Sequence, residues 1–192
     1  MRRLLEAVGA LKVLVRTGWS QAGVPQALAE TVGSHTFESA VLALMLSTEM
    51  KRRGVNVSPE RAATLALVHD FPEAVQGDLP PWTKRRCRDS DLEALAELEL
   101  DEFSGLLREF LSEDSYEAII ARVADLLATA SQGARYGRMG LTRAAQIGSA
   151  CLKEAEEEAS KIPELASLVR ELFSWLRDEL SEYPAAEGGW FD

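Results

Sequence analysis

Apolar side chains return every three or four residues along most of the chain, in runs rich in Ala, Leu and Glu. That period lines one face of a helix, and no stretch alternates β-branched and polar residues as a half-buried strand does. The pattern predicts an all-α helical bundle, with helices near 2–16, 35–53, 59–70, 90–111, 115–136, 142–160 and 164–181. Ser58, Pro59 and Glu60 supply an N-cap, a first helical position and a first-turn carboxylate, so a helix starts there. Pro72 disfavours α conformation in Phe71 and lacks a backbone donor, so the same helix stops with His69 and Asp70 on its last turn.

The segment Gly77 to Arg88 (GDLPPWTKRRCR) is expected to be a loop, leading into an acidic helix whose Leu92, Leu95, Leu98, Phe103, Leu106, Leu107 and Phe110 form one apolar face. No repeat, low-complexity tract or linker divides the chain, so one helical domain over 1–182 is expected. Beyond it, 183–192 (YPAAEGGWFD) lacks any period and is expected to be an irregular tail, with Trp190 and Phe191 docking on the body or a partner.

Composition adds class limits. With 46% hydrophobic and 27% charged residues over 192 positions, the chain has the makeup of an ordinary globular domain with a sizeable core. Glu6, Lys12 and Arg16 interrupt the N-terminal apolar run, and no later run is long enough to span a bilayer; cytoplasmic residence without membrane association is expected. Cys87 and Cys151, the only cysteines, are expected to be reduced structural thiols. Net charge is −10, with 12 basic and 9 acidic side chains in 1–90 against 9 and 22 in 91–192. That balance argues against general nucleic-acid binding, which requires neutralising many phosphates, and leaves room for a small anion met by the first half.

Only two histidines are present, and each is unusually placed. His69 sits in ALVHDFPE, beside Asp70 and four residues before Glu73; His35 opens an apolar helix in ETVGSHTFESAVLALML. By itself a histidine on an apolar helix packs in a core more often than on a metal. An adjacent His and Asp at a helix C-terminus can both reach one cation, which the negative end of the helix tolerates. Asp125, in IIARVADLLATA, is either a carboxylate ion-paired with Arg122 at i−3 or the fourth donor of a two-nitrogen, two-oxygen set with His35, His69 and Asp70. Such a set suits one divalent ion, Mn, Co, Ni, Fe or Zn, with positions left for water and substrate.

The order His35, then His69-Asp70, then Asp125 on successive helices resembles the HD-domain metal-dependent phosphohydrolases. Closer still is the resemblance to their 5′-deoxynucleotidase-like branch, which shows an Arg and a nearby Trp, a segment like ESVAEHSW, then HDxPE and a following GD. The matching segments are Arg16 and Trp19 in VRTGWSQAGV, ETVGSHTF at 30–37, HDFPEAVQGDLP at 69–80 and ARVADLL around Asp125. Ser34, Phe37 and Arg122 stand where the branch usually has an acid, a Trp and a Lys, and none of the three removes a metal ligand.

The resemblance implies an HD-type helical fold and a metal held by His35, His69, Asp70 and Asp125. It also implies a 5′-nucleotidase acting on (deoxy)nucleoside 5′-monophosphates, and often a homodimer. Glu73 is the expected water-positioning base and Asp78 a second carboxylate holding the water or substrate. Arg16 would bind phosphate oxygens, and Trp19 would pack beside the sugar or base. Hydrolysis of another phosphoester, a nucleoside triphosphate or guanosine alarmone, and a non-catalytic metal-bound helical module are the alternatives.

Overall fold

The computed structural model describes residues 1–80 and 90–185, and the described residues contain helices and no strand. In chain order these are α1 (Arg2–Leu11), α2 (Thr17–Gln21), α3 (Val32–Arg52), α4 (Pro59–Val68), α5 (Glu73–Gln76) and α6 (Ser90–Glu97). There follow α7 (Asp101–Ser112), α8 (Tyr116–Arg138), α9 (Thr142–Ala159), α10 (Pro163–Leu172) and α11 (Ser174–Leu180).

Side-chain oxygens start the three helices that matter most. Thr31 accepts from the Ser34 N–H ahead of α3, Ser58 from Arg61 ahead of α4, and Ser115 from Ala118 ahead of α8. Each satisfies a backbone donor that has no partner within its helix. Helix α8 is the axis of the bundle: Ala118, Ile120, Ala121, Val123, Ala124, Leu127, Ala128 and Ala130 are buried around its circumference. A helix apolar on nearly every face must be enclosed. It is enclosed by α3, α4 and α9.

Helices α8 and α9 approach one another very closely. A Cβ on Gly133 would stand 2.6 Å from the Gly148 Cα, and one on Gly148 would stand 2.9 Å from the Gly133 Cα. The two helices touch backbone to backbone there, which only glycine permits.

Several predicted boundaries move for identifiable reasons. The first helix stops at Leu11, not near 16, because residues 14–16 run beside 30–32. Arg16 N–H donates to the Glu30 carbonyl at 3.0 Å, Val32 N–H donates to the Leu14 carbonyl at 2.8 Å, and Val15 bridges Thr31. The helix predicted over 90–111 is two helices, broken where Glu99 adopts φ 57°. That predicted over 164–181 breaks at Phe173, whose φ of −114° lies outside the helical range and whose ring is buried. The single turns α2 and α5 are too short for a period to reveal.

Cys151 packs against the main core, and burial pushes its thiol up to about 12, as suits a structural thiol. Tyr183 has left the last helix and donates from its hydroxyl to the Gly137 carbonyl at 3.2 Å. Cys87, most of the loop expected between Gly77 and Arg88, and the tail residues Trp190 and Phe191 lie outside the described residues.

Candidate metal centre

Three elements bring the ligand set together. His35 projects from the first turn of α3, His69 caps the C-terminus of α4 with Asp70 directly after it, and Asp125 lies midway along α8. Donor atoms of His35, His69 and Asp125 all lie within 4.8 Å of one another. The His35 Nε2 stands 2.8 Å from Asp125 Oδ1, and His69 Nε2 stands 3.1 Å from Asp70 Oδ2 and 3.6 Å from Asp125 Oδ1. Asp70 Oδ2 also faces His35 Nε2 at 4.0 Å. All four residues are buried.

The donor chemistry fits a divalent cation. His69 Nδ1 lies 2.8 Å from the Ala66 carbonyl, which can only accept, so Nδ1 carries the proton and Nε2 is the atom turned toward the carboxylates. Burial opposes a charge on His69, yet the carboxylates of Asp70 and Asp125 outweigh it and leave its pKa raised to about 10. For Asp125, desolvation likewise works against the charge, but His69, His35 and Arg122 hold the carboxyl well below its usual range. Two buried carboxylates converging on two imidazoles form a place that draws positive charge, be it a proton or a metal. Arg122 donates to the second Asp125 oxygen at 2.9 Å and so fixes the carboxylate plane; the i−3 pairing and the cluster coexist.

Glu73, expected as the base, is buried at 2% exposure in the first turn of α5, its N–H donating to the Asp70 carbonyl at 3.1 Å. Asp78 accepts from the Thr17 N–H through its side chain and from the Thr17 hydroxyl, at 2.7 Å, through its carbonyl. Asp78 therefore holds the start of α2, immediately after Arg16.

Arg16 reaches the centre from that segment, donating from its guanidinium to the Thr129 hydroxyl at 3.0 Å. Burial acts against its charge, but Glu30, Asp70, Asp125 and Asp78 together raise its pKa above the usual arginine value. The cation thus stands among the same carboxylates that surround the histidines.

Trp19, expected beside a sugar or base, lies in a cluster of the core. Its ring is 2% exposed, packed with Ala22, Val24, Tyr136 and Ala144, and its indole N–H donates to Glu30 Oε2 at 2.8 Å. The ring meets Tyr136 edge-on at 5.1 Å. Four residues at the site were not singled out by sequence: Thr17, Glu30, Thr129 and Tyr136. Glu30 sat within the ETVGSH segment as an unassigned acid, and Thr129 is one turn beyond Asp125 on the same face, a spacing that points to it once Asp125 is known.

Two histidines and two aspartates brought together from α3, the end of α4 and α8 mark this all-helical bundle as one with a candidate metal site. A family model described as an HD domain matches residues 8–166. The chain belongs to the HD-domain family.

Among curated relatives, the chain is 35% identical over 81 residues to 5′-deoxynucleotidase HDDC2 of Danio rerio, covering 42% of this chain and 36% of that protein. It is 34% identical over 79 residues to HDDC2 of Homo sapiens, covering 41% and 35%. To 5′-deoxynucleotidase YfbR of Shigella boydii serotype 18 it is 43% identical over 58 residues, covering 30% and 29%. The chain thus spans about a third of the length of these relatives. Two solved structures match nearly end to end. One is a conserved hypothetical protein from Pyrococcus furiosus, with TM-score 0.78 and 28% identity over 92% of this chain and 98% of that one. The other is from Pyrococcus horikoshii OT3, with TM-score 0.79 and 27% identity over 93% and 98%. No described helix is long and apolar enough to cross a membrane.

Proposed function

We propose that the chain is a metal-dependent phosphohydrolase that releases phosphate from (deoxy)nucleoside 5′-monophosphates. The observation that carries this reading is the placement of the Arg16 guanidinium among the carboxylates of the metal cluster, so that an anion bound by Arg16 lies against the cation site. The 5′-deoxynucleotidase names of the partial relatives favour a nucleoside monophosphate over other phosphoesters.

His35, His69, Asp70 and Asp125 would hold one divalent ion, with Mn, Co, Ni, Fe and Zn all compatible with the donors. When bound, the ion supplies Lewis acidity and lowers the pKa of water. The remaining work falls to the chain. Arg16 presents a planar fork to the phosphate oxygens and neutralises charge that grows during the displacement. Asp78 keeps that fork in place by anchoring Thr17. Glu73, buried just beyond the His69-Asp70 pair, orients the attacking water and takes its proton as the new P–O bond forms and the bond from phosphorus to the nucleoside 5′-oxygen breaks, and it returns that proton to the departing 5′-oxygen.

Phosphate release should be assayed with 5′- and 3′-mononucleotides in ribo and deoxy forms, each with added Mn or Co. Hydrolysis of 5′-monophosphates that is lost in Glu73→Ala is the expected result. Full activity in Glu73→Ala would remove the proton-accepting role, and preference for a triphosphate would replace the monoesterase reading. Absence of release from any nucleotide with either metal would overturn the enzymatic reading itself.

A further inference from the structure

The two histidines at the cluster both turn Nε2 toward the carboxylates, but their other nitrogens are treated differently. His69 Nδ1 is held by a backbone carbonyl at 2.8 Å. His35 Nδ1 is fully buried and has no hydrogen-bond partner among the described residues. The group facing it is the carboxylate of Glu30, with Oε2 at 4.0 Å.

Glu30 is itself buried, and that same Oε2 accepts from the Trp19 indole at 2.8 Å and lies 3.8 Å from the Arg16 guanidinium. The backbone on either side is also fixed: Glu30 N–H donates to the Tyr136 hydroxyl at 2.8 Å, and the Glu30 carbonyl accepts from Arg16 N–H at 3.0 Å. One carboxylate oxygen therefore stands between the arm that carries Arg16 and Trp19 and the back of His35. A buried carboxylate costs desolvation unless positive or donor groups surround it. Here those groups are Trp19 and Arg16 on one side and the His35 imidazole on the other.

We propose that Glu30 is a positioning residue for the metal centre. His35 Nε2 donates to Asp125 at 2.8 Å. Where a cation takes the place of that proton, Glu30 favours a proton on His35 Nδ1, so that the Nε2 lone pair faces the ion, with Trp19 holding the Glu30 carboxylate in the orientation that does so. Carboxylates behind ligand histidines commonly tune affinity in this way. The inference rests on the metal-dependent reading above and adds to it a residue that touches neither ion nor substrate. The buried Trp19 thereby acquires a role at the centre, because its indole N–H orients the carboxylate behind His35.

Titration calorimetry of Mn(II) into the metal-free protein tests this without reference to turnover. Glu30→Gln keeps a carbonyl oxygen for Trp19 while removing the charge that faces His35, so a purely structural anchor would survive it. The expected result is Mn(II) affinity weakened about tenfold or more with an unchanged helical circular dichroism spectrum. Trp19→Phe, which removes the donor that orients Glu30, should weaken Mn(II) about threefold or more although it touches no ligand. Mn(II) binding within twofold of wild type in Glu30→Gln overturns the proposal. Should Glu30→Gln fail to fold, unchanged affinity in Trp19→Phe overturns it equally. Wild-type protein that binds no Mn(II) would instead defeat the metal-dependent reading itself, a result distinguishable from either.

Discussion

The Arg16 guanidinium donates to the Thr129 hydroxyl at 3.0 Å, and Thr129 lies one helical turn beyond Asp125 on α8, its hydroxyl turned back to the Asp125 carbonyl at 3.3 Å. The helix that carries Asp125 thus also aims the Arg16 guanidinium. Thr129→Val keeps the shape and deletes the acceptor. Its effect should be a loss of about tenfold in kcat/KM for nucleoside 5′-monophosphates, the size of one charge-assisted hydrogen bond, with Mn(II) affinity unchanged. Arg16→Lys, which retains the charge but not the fork, should lose roughly a hundredfold. Steady-state phosphate release alongside metal titration separates the two effects. Loss of metal binding in Thr129→Val would show that the threonine supports the cluster and not the arginine.

Glu109 on α7 offers a pH-dependent stability test remote from the site. Its carboxyl is held below the usual value by hydrogen bonds from Arg61 on α4, with burial opposing and Ser115 adding to the effect. A folded pKa lower than the unfolded one means the contribution is fully present above the unfolded value, about 4.3. It is lost as pH falls through the depressed folded value. The pair is partly exposed, at 44% and 23% for the two side chains, so the contribution is below about 1 kcal/mol. Glu109→Gln should therefore lower the urea midpoint slightly at pH 7 and leave stability less sensitive to acid between roughly pH 5 and pH 3. An acid sensitivity identical to wild type would assign no linkage to this pair.

How much of this was legible in the sequence depended on period and locality. Long helices such as α8 announced themselves because a 3.6-residue repeat sustained over six turns cannot arise from a strand, and Ser58-Pro59 marked the start of α4 by cap chemistry alone. The His69-Asp70 pair stood out because neighbouring donors at a helix end have few other uses. Thr129 did not, because its partner Arg16 is 113 residues away, and Glu30 did not, because it meets Trp19 across an irregular turn whose course no periodic rule supplies. The core packing of Trp19 was hidden for a related reason. Its burial is set by Tyr136 and Ala144, on helices far along the chain, which a local segment reading cannot supply.

The Gly133–Gly148 contact gives a packing prediction with an internal control. A methyl group on Gly133 would meet the Gly148 backbone at 2.6 and 2.9 Å, where neither helix can yield without separating from the other. Gly133→Ala should cost about 2 kcal/mol or more, a severe overpacking penalty. Gly9, on the exposed side of α1, has nothing within 4 Å of an added Cβ, so Gly9→Ala should stabilise by about 0.5–1 kcal/mol through backbone entropy. Urea unfolding of both variants checks the opposite signs. Equal effects would mean that α8 and α9 do not pack this closely in solution.

Metal should stabilise the fold as well as serve chemistry. In the metal-free protein, two buried carboxylates depend on His69, Arg16 and Arg122 for compensation, and the centre joins α3, α4 and α8, which form the core of the bundle. A divalent ion bound only by the folded state adds about 2.7 kcal/mol at a hundredfold excess over its Kd. For a chain of this size that corresponds to roughly 5–10 °C in Tm. Thermal unfolding followed by circular dichroism should therefore rise by that amount on adding Mn(II) and return on adding EDTA. His69→Ala removes a donor and should abolish the shift, whatever it does to the metal-free Tm, because the ion then has no complete site in either state. A shift of the same size in His69→Ala would place the stabilising ion elsewhere on the molecule and separate it from the cluster of His35, Asp70 and Asp125.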